Sequence, residues 1–210
     1  MLAGETPKMP ISLETTVPRV LITAFDPYDR WKENSSWLAL MDLTRWYDGA
    51  MEITTRRYPV DLTRMSEKLR DDLRDDFELA IHLGQSPGST LIKLESIGLN
   101  VRSDGTPLIK DAPAAYQMKL DLKPSAQLLS DAGIPNQIAH HAGTYLCNAA
   151  MFLSQHYADE MGKRTKSLFM HLPLAPAQAA KDGSHLASMS TAMTSAAIAV
   201  VMAQLVQQLD

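Results

Sequence analysis

Apolar and polar positions switch between two periods along this chain, and the switching predicts strands and helices in turn. Residues 19–23 (RVLIT) form a short apolar run with β-branched residues, the pattern of a buried strand. A polar, proline-containing loop follows over 25–33. Residues 34–46 show helical spacing, with Trp37, Leu38, Met41 and Leu43 among the apolar positions. Residues 53–60 (ITTRRYPV) read as a second strand. Over 62–76, Met65, Leu69 and Leu73 recur every four residues among charges, which predicts a helix with a solvated outer face. The next strand lies within 77–83. Residues 91–99 (LIKLESIGL) alternate and predict another strand, or a strand with a turn. Gly105, Pro107 and Pro113 make 102–113 a loop. A short helix over 124–132 is ended by Gly133 and Pro135, and a strand occupies 136–139. A helix over 145–161 stops at Gly162. Residues 167–172 (SLFMHL) are a strand, 173–181 a loop, and 190–209 a long helix rich in Ala and Met. There is no internal repeat and no linker-like stretch. The order predicts an α/β fold, a three-layer α/β/α sandwich around a mostly parallel twisted sheet. Residues 1–18, with three prolines, read as a flexible arm, and 19–210 as one α/β domain.

Composition narrows the class of partner. Of 210 residues, 45% are hydrophobic and 21% charged, enough for a full core. A formal net charge of −4 argues against nucleic acid or an anionic membrane as the main partner. No apolar run is long enough to span a bilayer, and the first residues lack the charged start and apolar stretch of a secretory signal. One cysteine forms no internal disulfide, so the expected location is the cytoplasm.

That cysteine, Cys147, stands in Gly-Thr-Tyr-Leu-Cys-Asn (143–148), where a loop becomes a helix. Unpaired N–H groups and the positive end of a helix dipole favour thiolate over thiol there. A lone cysteine in an apolar stretch is otherwise a small core residue. Histidine is the usual base for a catalytic thiol. His171 ends a predicted strand, where the crevice of an open α/β sheet lies. His140 and His141 are rivals, and as neighbours beside a strand at most one of them faces Cys147. His82 sits within a strand and reads as a hydrogen-bonded core imidazole, while His156 and His185 look like surface positions. No histidine pair has zinc-site spacing. Glu95 is a charge inside an apolar segment. Taken alone, the segment points to a solvent-facing side of an edge strand rather than to a buried acid. Residues 84–88 (GQSPG) form a tight loop able to offer backbone N–H and C=O groups, without the spacing or lysine of a phosphate loop. Phe25 and Tyr28, beyond a strand end, either wall a small apolar pocket or cap the core edge. Asp26 between them reads as a solvated loop charge.

In this order, the pieces resemble pyroglutamyl peptidase I, the pyrrolidone-carboxylate peptidase family of cysteine peptidases. The family's Phe-Glu-Pro-Phe-Gly-Gly and Asn-Pro-Ser resemble residues 25–30 (FDPYDR) and 34–36 (NSS). Its Gly-Gln-Ala-Gly-Gly-Arg resembles 84–89 (GQSPGS), and its Glu-Arg-Val-Ala-x-Asn resembles 95–100 (ESIGLN). Asp-Gly-Pro-Ala-Ala-Tyr is close to 111–116 (DAPAAY). Thr-Ala-Gly-Thr-Tyr/Phe-Val-Cys-Asn is nearly intact over 141–148 (HAGTYLCN), and His-x-Pro stands at 171–173 (HLP).

The resemblance implies a triad of Cys147 as nucleophile, His171 as general base and acid, and Glu95 as orienting acid. It implies a peptide substrate with an N-terminal pyroglutamyl (5-oxoprolyl) residue, its ring near Phe25 and Tyr28. Backbone groups of Gln85 and Leu146 are implied to bind the lactam, with Asn34 shaping the pocket. Neither metal nor organic cofactor is required, and a homo-oligomer is compatible with the family. The departures are Asp29 and Arg30 for Gly-Gly, Ser89 and Ser96 for arginines, Tyr28 for Phe, and a shorter segment between Asn100 and Asp111. They leave two alternatives: a catalytically weak or inactive member that binds a peptide or partner, and a cysteine hydrolase of another blocked N-terminal amide.

Overall fold

The computed structural model describes residues 17–183 and 185–209. The expected arm, apart from Val17 and Pro18, lies outside them. The strands that build the centre are the most apolar runs of the chain. β1 (Arg19–Phe25), β3 (Leu79–Gln85) and β8 (Lys166–Leu172) are covered on both faces and almost fully buried, as parallel strands require. β2 (Glu52–Tyr58) is an edge strand and keeps Arg56 and Arg57 exposed. β4 (Ile92–Glu95) and β7 (Asn136–Ala139) complete a six-stranded sheet in the order β2-β1-β3-β8-β4-β7. β1, β2, β3 and β8 run parallel; β4 and β7 run parallel to each other but antiparallel to β8.

α1 (Ser35–Trp46), α3 (Lys123–Asp131) and α6 (Thr191–Val206) cover one face, and α2 (Leu62–Asp72) and α4 (Leu146–Glu160) the other. The result is the expected mixed α/β sandwich. A two-stranded antiparallel ribbon, β5 (Ile97–Leu99) and β6 (Ala115–Gln117), lies on α4. Gly98 makes this possible: a Cβ there would stand 2.8 Å from the Phe152 backbone nitrogen. The segment 91–99, expected as a strand or a strand with a turn, is therefore two strands in two sheets, broken at Ser96. Asn148 fixes the ribbon to α4, accepting from Leu99 N–H (2.8 Å) and donating to the carbonyls of Leu99 (2.9 Å) and Val101 (3.2 Å).

Other boundaries differ from the sequence reading: β2 ends at Tyr58 rather than 60, β3 runs on to Gln85 rather than stopping at 83, and α6 ends at Val206 rather than 209. α2 ends at Asp72 rather than 76, where the bonding tightens into turns closed by Arg74 N–H on the Asp71 carbonyl and Asp75 N–H on the Asp72 carbonyl, both 3.2 Å. The expected loop over 173–181 contains α5 (Pro176–Asp182), which has proline at its first turn and Gly183 at φ +63 beyond its end.

Candidate active site

Cys147 is the second residue of α4. Gly143, at φ +82, turns the chain into the helix, and Tyr145 holds the N-cap position with extended backbone and no side-chain cap. The first-turn N–H groups of a helix have no intrahelical acceptor, so those beside the sulfur point at whatever occupies the crevice.

His171 stands one residue before the end of β8 and shares the α4-facing side with Phe169, whose ring centroid is 4.8 Å from the imidazole. Glu95 arrives from the opposite direction. Because β4 is antiparallel to β8, Lys93 pairs with His171 and Glu95 with Phe169. The carboxylate then reaches diagonally along the strands to the imidazole. His171 Nδ1–H donates to Glu95 Oε1 at 2.7 Å. An ionised carboxylate only accepts, so the proton sits on Nδ1 and Nε2 faces the other way. The Glu95 side chain is 2% exposed, and its Oε2 has no partner among the described residues. The solvent-facing edge position expected from the local sequence is thus overturned: β4 lies between β8 and β7, and the carboxylate is buried against the His171 ring.

Cys147 is the second partner of His171. Burial disfavours the imidazolium, but hydrogen bonding and charge from Cys147 and then Glu95 outweigh it and raise the His171 pKa to about 9. The ring therefore carries its proton at neutral pH, with Nδ1–H held by Glu95.

Gly84, on β3, lies under this row. An added Cβ would be 2.5 Å from the Phe169 ring and 3.1 Å from Cys147 Sγ. Gly84→Ala is expected to destabilise the protein by about 1–3 kcal/mol through overpacking. It should also slow alkylation of the single thiol by iodoacetamide. Urea unfolding and thiol labelling measure the two effects.

A pocket of about 80 Å³ opens beside the sulfur, lined by Phe25, Tyr28, Asn34, Val60, Gly84, Gln85, Tyr145, Leu146 and Cys147. Every binding residue expected from the sequence lines it. Val60 and Tyr145 were not anticipated; Val60 lies two residues past the β2 end, on the same sheet edge as Phe25. Phe25 both walls the pocket and packs into the core. The Tyr28 hydroxyl donates to the Gln85 carbonyl at 3.4 Å, and burial, then the charge at Cys147, pushes its pKa up. Asn34 caps α1 by accepting from Ser36 N–H (3.1 Å) and donates to the Asp26 carbonyl (3.0 Å). Pro87 and Gly88 (φ +83) form a turn closed by Ser89 N–H on the Ser86 carbonyl, which ends the glutamine loop.

The other histidines are placed elsewhere. His140 bonds the Ser96 hydroxyl (3.0 Å), and His141 accepts from Gly143 N–H (3.2 Å). His82 is fully buried on Thr23 (2.8 Å), with a pKa lowered to about 3 by burial. His156, expected at the surface, is buried between Phe152 and Tyr116. His185 is exposed. Asp26 is half-buried and paired with Arg57 at 2.6 Å. A larger depression of about 700 Å³ lies at the amino ends of β1, β3 and β8. Its lining includes Asp76, Glu78, Lys163 and Lys166 but no thiol or histidine, so chemistry rather than size singles out the smaller pocket.

A thiol at a helix start, an imidazole at a strand end and a buried carboxylate behind it define an α/β protein of the cysteine-hydrolase type. The pyroglutamyl peptidase family model matches residues 18–208, and the chain belongs to that family. It is 32% identical over 204 residues to the pyrrolidone-carboxylate peptidase of Pectobacterium atrosepticum, covering 91% of this chain and 94% of that one. It is 32% identical over 172 residues to the enzyme of that name from Pyrococcus furiosus, covering 76% and 83%. Among solved structures, the pyrrolidone carboxyl peptidase of Thermococcus litoralis superposes with a TM-score of 0.83 at 30% identity, over 91% of this chain and 94% of that chain. That of Fervidobacterium islandicum does so at 0.84 and 28%, over 90% and 99%.

Proposed function

We propose that this protein is a cysteine peptidase that hydrolyses the amide bond after an N-terminal pyroglutamyl residue. The observation that carries the reading is the His171 ring, held on Nδ1 by Glu95 and partnered by Cys147, beside a pocket of a size suited to a five-membered ring. Pyroglutamate has no free amine, so its recognition needs an apolar slot and a donor–acceptor pair rather than a carboxylate. Phe25, Tyr28, Val60 and Leu146 supply the slot. Backbone groups of Gln85 and Leu146 face the lactam, and Asn34 shapes the mouth.

Cys147 as thiolate attacks the carbonyl carbon joining pyroglutamate to the next residue. The N–H groups opening α4 hold the oxyanion; one such donor typically contributes about 3 kcal/mol to lowering the barrier. His171 Nε2–H protonates the leaving amine, and the carbon–nitrogen bond breaks to leave a thioester. The now neutral imidazole takes a proton from water, which attacks the thioester and releases free pyroglutamate. A thiolate that must stay reduced fits the cytoplasm, as does the absence of a second cysteine.

The reading is tested with the purified protein under reducing conditions. It should release the reporter from a pyroglutamyl amide and not from the matching prolyl amide. No turnover of the former would refute it. Tyr28 refines the test, because its hydroxyl and the lactam N–H compete for the same Gln85 carbonyl. Removing it in Tyr28→Phe is expected to lower KM by roughly two- to tenfold with kcat little changed. Steady-state kinetics on the same reporter check this.

A further inference from the structure

Gln178, in the first turn of α5, is 6% exposed and spends its whole amide on three segments. Its Oε1 accepts from Ala175 N–H at 2.8 Å, while its Nε2 donates to the Glu33 carbonyl at 2.9 Å and to Gln85 Oε1 at 2.7 Å. Gln85 Oε1 also accepts from Ser35 N–H at 2.8 Å. A backbone N–H only donates, so Ala175 fixes which end of the Gln178 amide is oxygen, and Ser35 does the same for Gln85. Both orientations follow from backbone donors and agree with each other.

These bonds tie together the entry to α1, the end of β3 and the chain just beyond β8. The first carries Asn34 and the second carries Gln85, both of which line the pocket; the third follows His171. The sheet already joins the last two, since Gln85 pairs with Leu172 and Ser86 N–H donates to the Leu172 carbonyl at 2.8 Å, but the entry to α1 lies outside the sheet. The bonds to Ala175 and between the two glutamines are buried, where leaving a donor or acceptor unpaired is costly. Arg30 makes a second link between the same α1 entry loop and α5, through Asp182 at 2.8 Å, but its guanidinium is exposed and contributes less.

We propose that Gln178 is a positioning residue for the pyroglutamyl pocket: it holds Gln85 and the start of α1 at the spacing that grips the lactam ring, without touching substrate. This rests on the pocket being the pyroglutamyl site. The Cys147–His171–Glu95 row shares none of its hydrogen bonds, so Gln178 acts on binding rather than on thiol reactivity.

Two variants test it on the full chain. Gln178→Met keeps the length and loses all three bonds. Gln178→Glu keeps the bond from Ala175 but sets an acceptor against Gln85 Oε1 and the Glu33 carbonyl. KM for the pyroglutamyl reporter amide is expected to rise about tenfold in both. The rate of Cys147 alkylation by iodoacetamide should stay within about twofold of the unaltered protein. In Gln178→Glu alone, KM should recover as pH is lowered from about 8 to about 5, where a protonated carboxyl regains a donor. Should Gln178→Met fail to fold, the isosteric Gln178→Glu decides. A folded variant with unchanged KM and only a lower melting temperature overturns the proposal, as does a fall in kcat alone. An unaltered protein without turnover instead refutes the reading of the site, and this proposal with it.

Discussion

Cys147→Ser is expected to leave a folded protein that cleaves a pyroglutamyl reporter amide at least about 10³-fold more slowly than the unaltered chain. The exchange of sulfur for oxygen is small in volume, and Gly84 leaves the space beside it open, so the fold has no reason to change. What changes is ionisation. Cys147 helps to keep His171 charged, and a serine hydroxyl at the same place gives up its proton far less readily. The attacking atom would then be neutral, and only the helix N–H groups and the pocket would remain to speed the reaction. Initial rates under reducing conditions, beside thermal melts of both proteins, check the effect. The unaltered protein provides an independent control, because it has one thiol. Loss of activity should follow incorporation of one equivalent of iodoacetamide. A serine variant retaining a tenth of the activity would show that Cys147 is not the nucleophile.

The framework of this molecule was legible because its central strands are apolar on both faces and its helices carry periodic apolar positions. β1, β3 and β8 could hardly be anything else. Short elements were harder to read, because their partners lie far along the chain. β5 and β6 are three residues each, and each exists through the other, through Asn148 and through the close approach at Gly98. α5 was missed although it carries a signature, with proline at its start, glycine past its end and Gln178 reaching back to the Ala175 N–H. Two prolines close together masked it as loop. Glu95 and His156 show a different limit. Alternation places Lys93 and Glu95 on one face of β4 but cannot say what covers that face. The answer depends on β8 being inserted beside β4 from more than seventy residues away. His156 reads as a surface position from the sequence. In the fold, the sheet, α2 and the β5–β6 ribbon surround nearly its whole circumference. The site was legible mainly through the resemblance: the residues alone left His140, His141 and His171 as rivals. The three-dimensional arrangement separates them, since the first two bond Ser96 and Gly143 while His171 faces Cys147 and Glu95.

Replacing Glu95 by glutamine should reduce kcat/KM by roughly 10²–10⁴-fold and move the alkaline limit of activity downward. The sign follows from the forces on His171. Its pKa lies above the ordinary 6.5, at about 9, because Cys147 and Glu95 together overcome the burial that opposes its charge. The imidazolium is the form that protonates the leaving amine, so activity should fall as pH rises through about 9. In Glu95→Gln the negative charge is gone while the burial remains, so the imidazolium is lost at lower pH. Geometry suffers as well as charge. A carboxylate can only accept, which pins the proton on Nδ1; an amide can turn its NH2 toward the ring and stabilise the tautomer whose Nε2 carries the only proton. In that tautomer the ring cannot take a proton from the thiol. Profiles of kcat/KM against pH for both proteins, with the pH dependence of Cys147 alkylation, distinguish the two contributions. A downward shift of the alkaline limb in both profiles reports the lost charge. A fall in the plateau without a shift reports the tautomer alone. Identical profiles of equal height would mean that the 2.7 Å contact of Glu95 with His171 has no part in the chemistry.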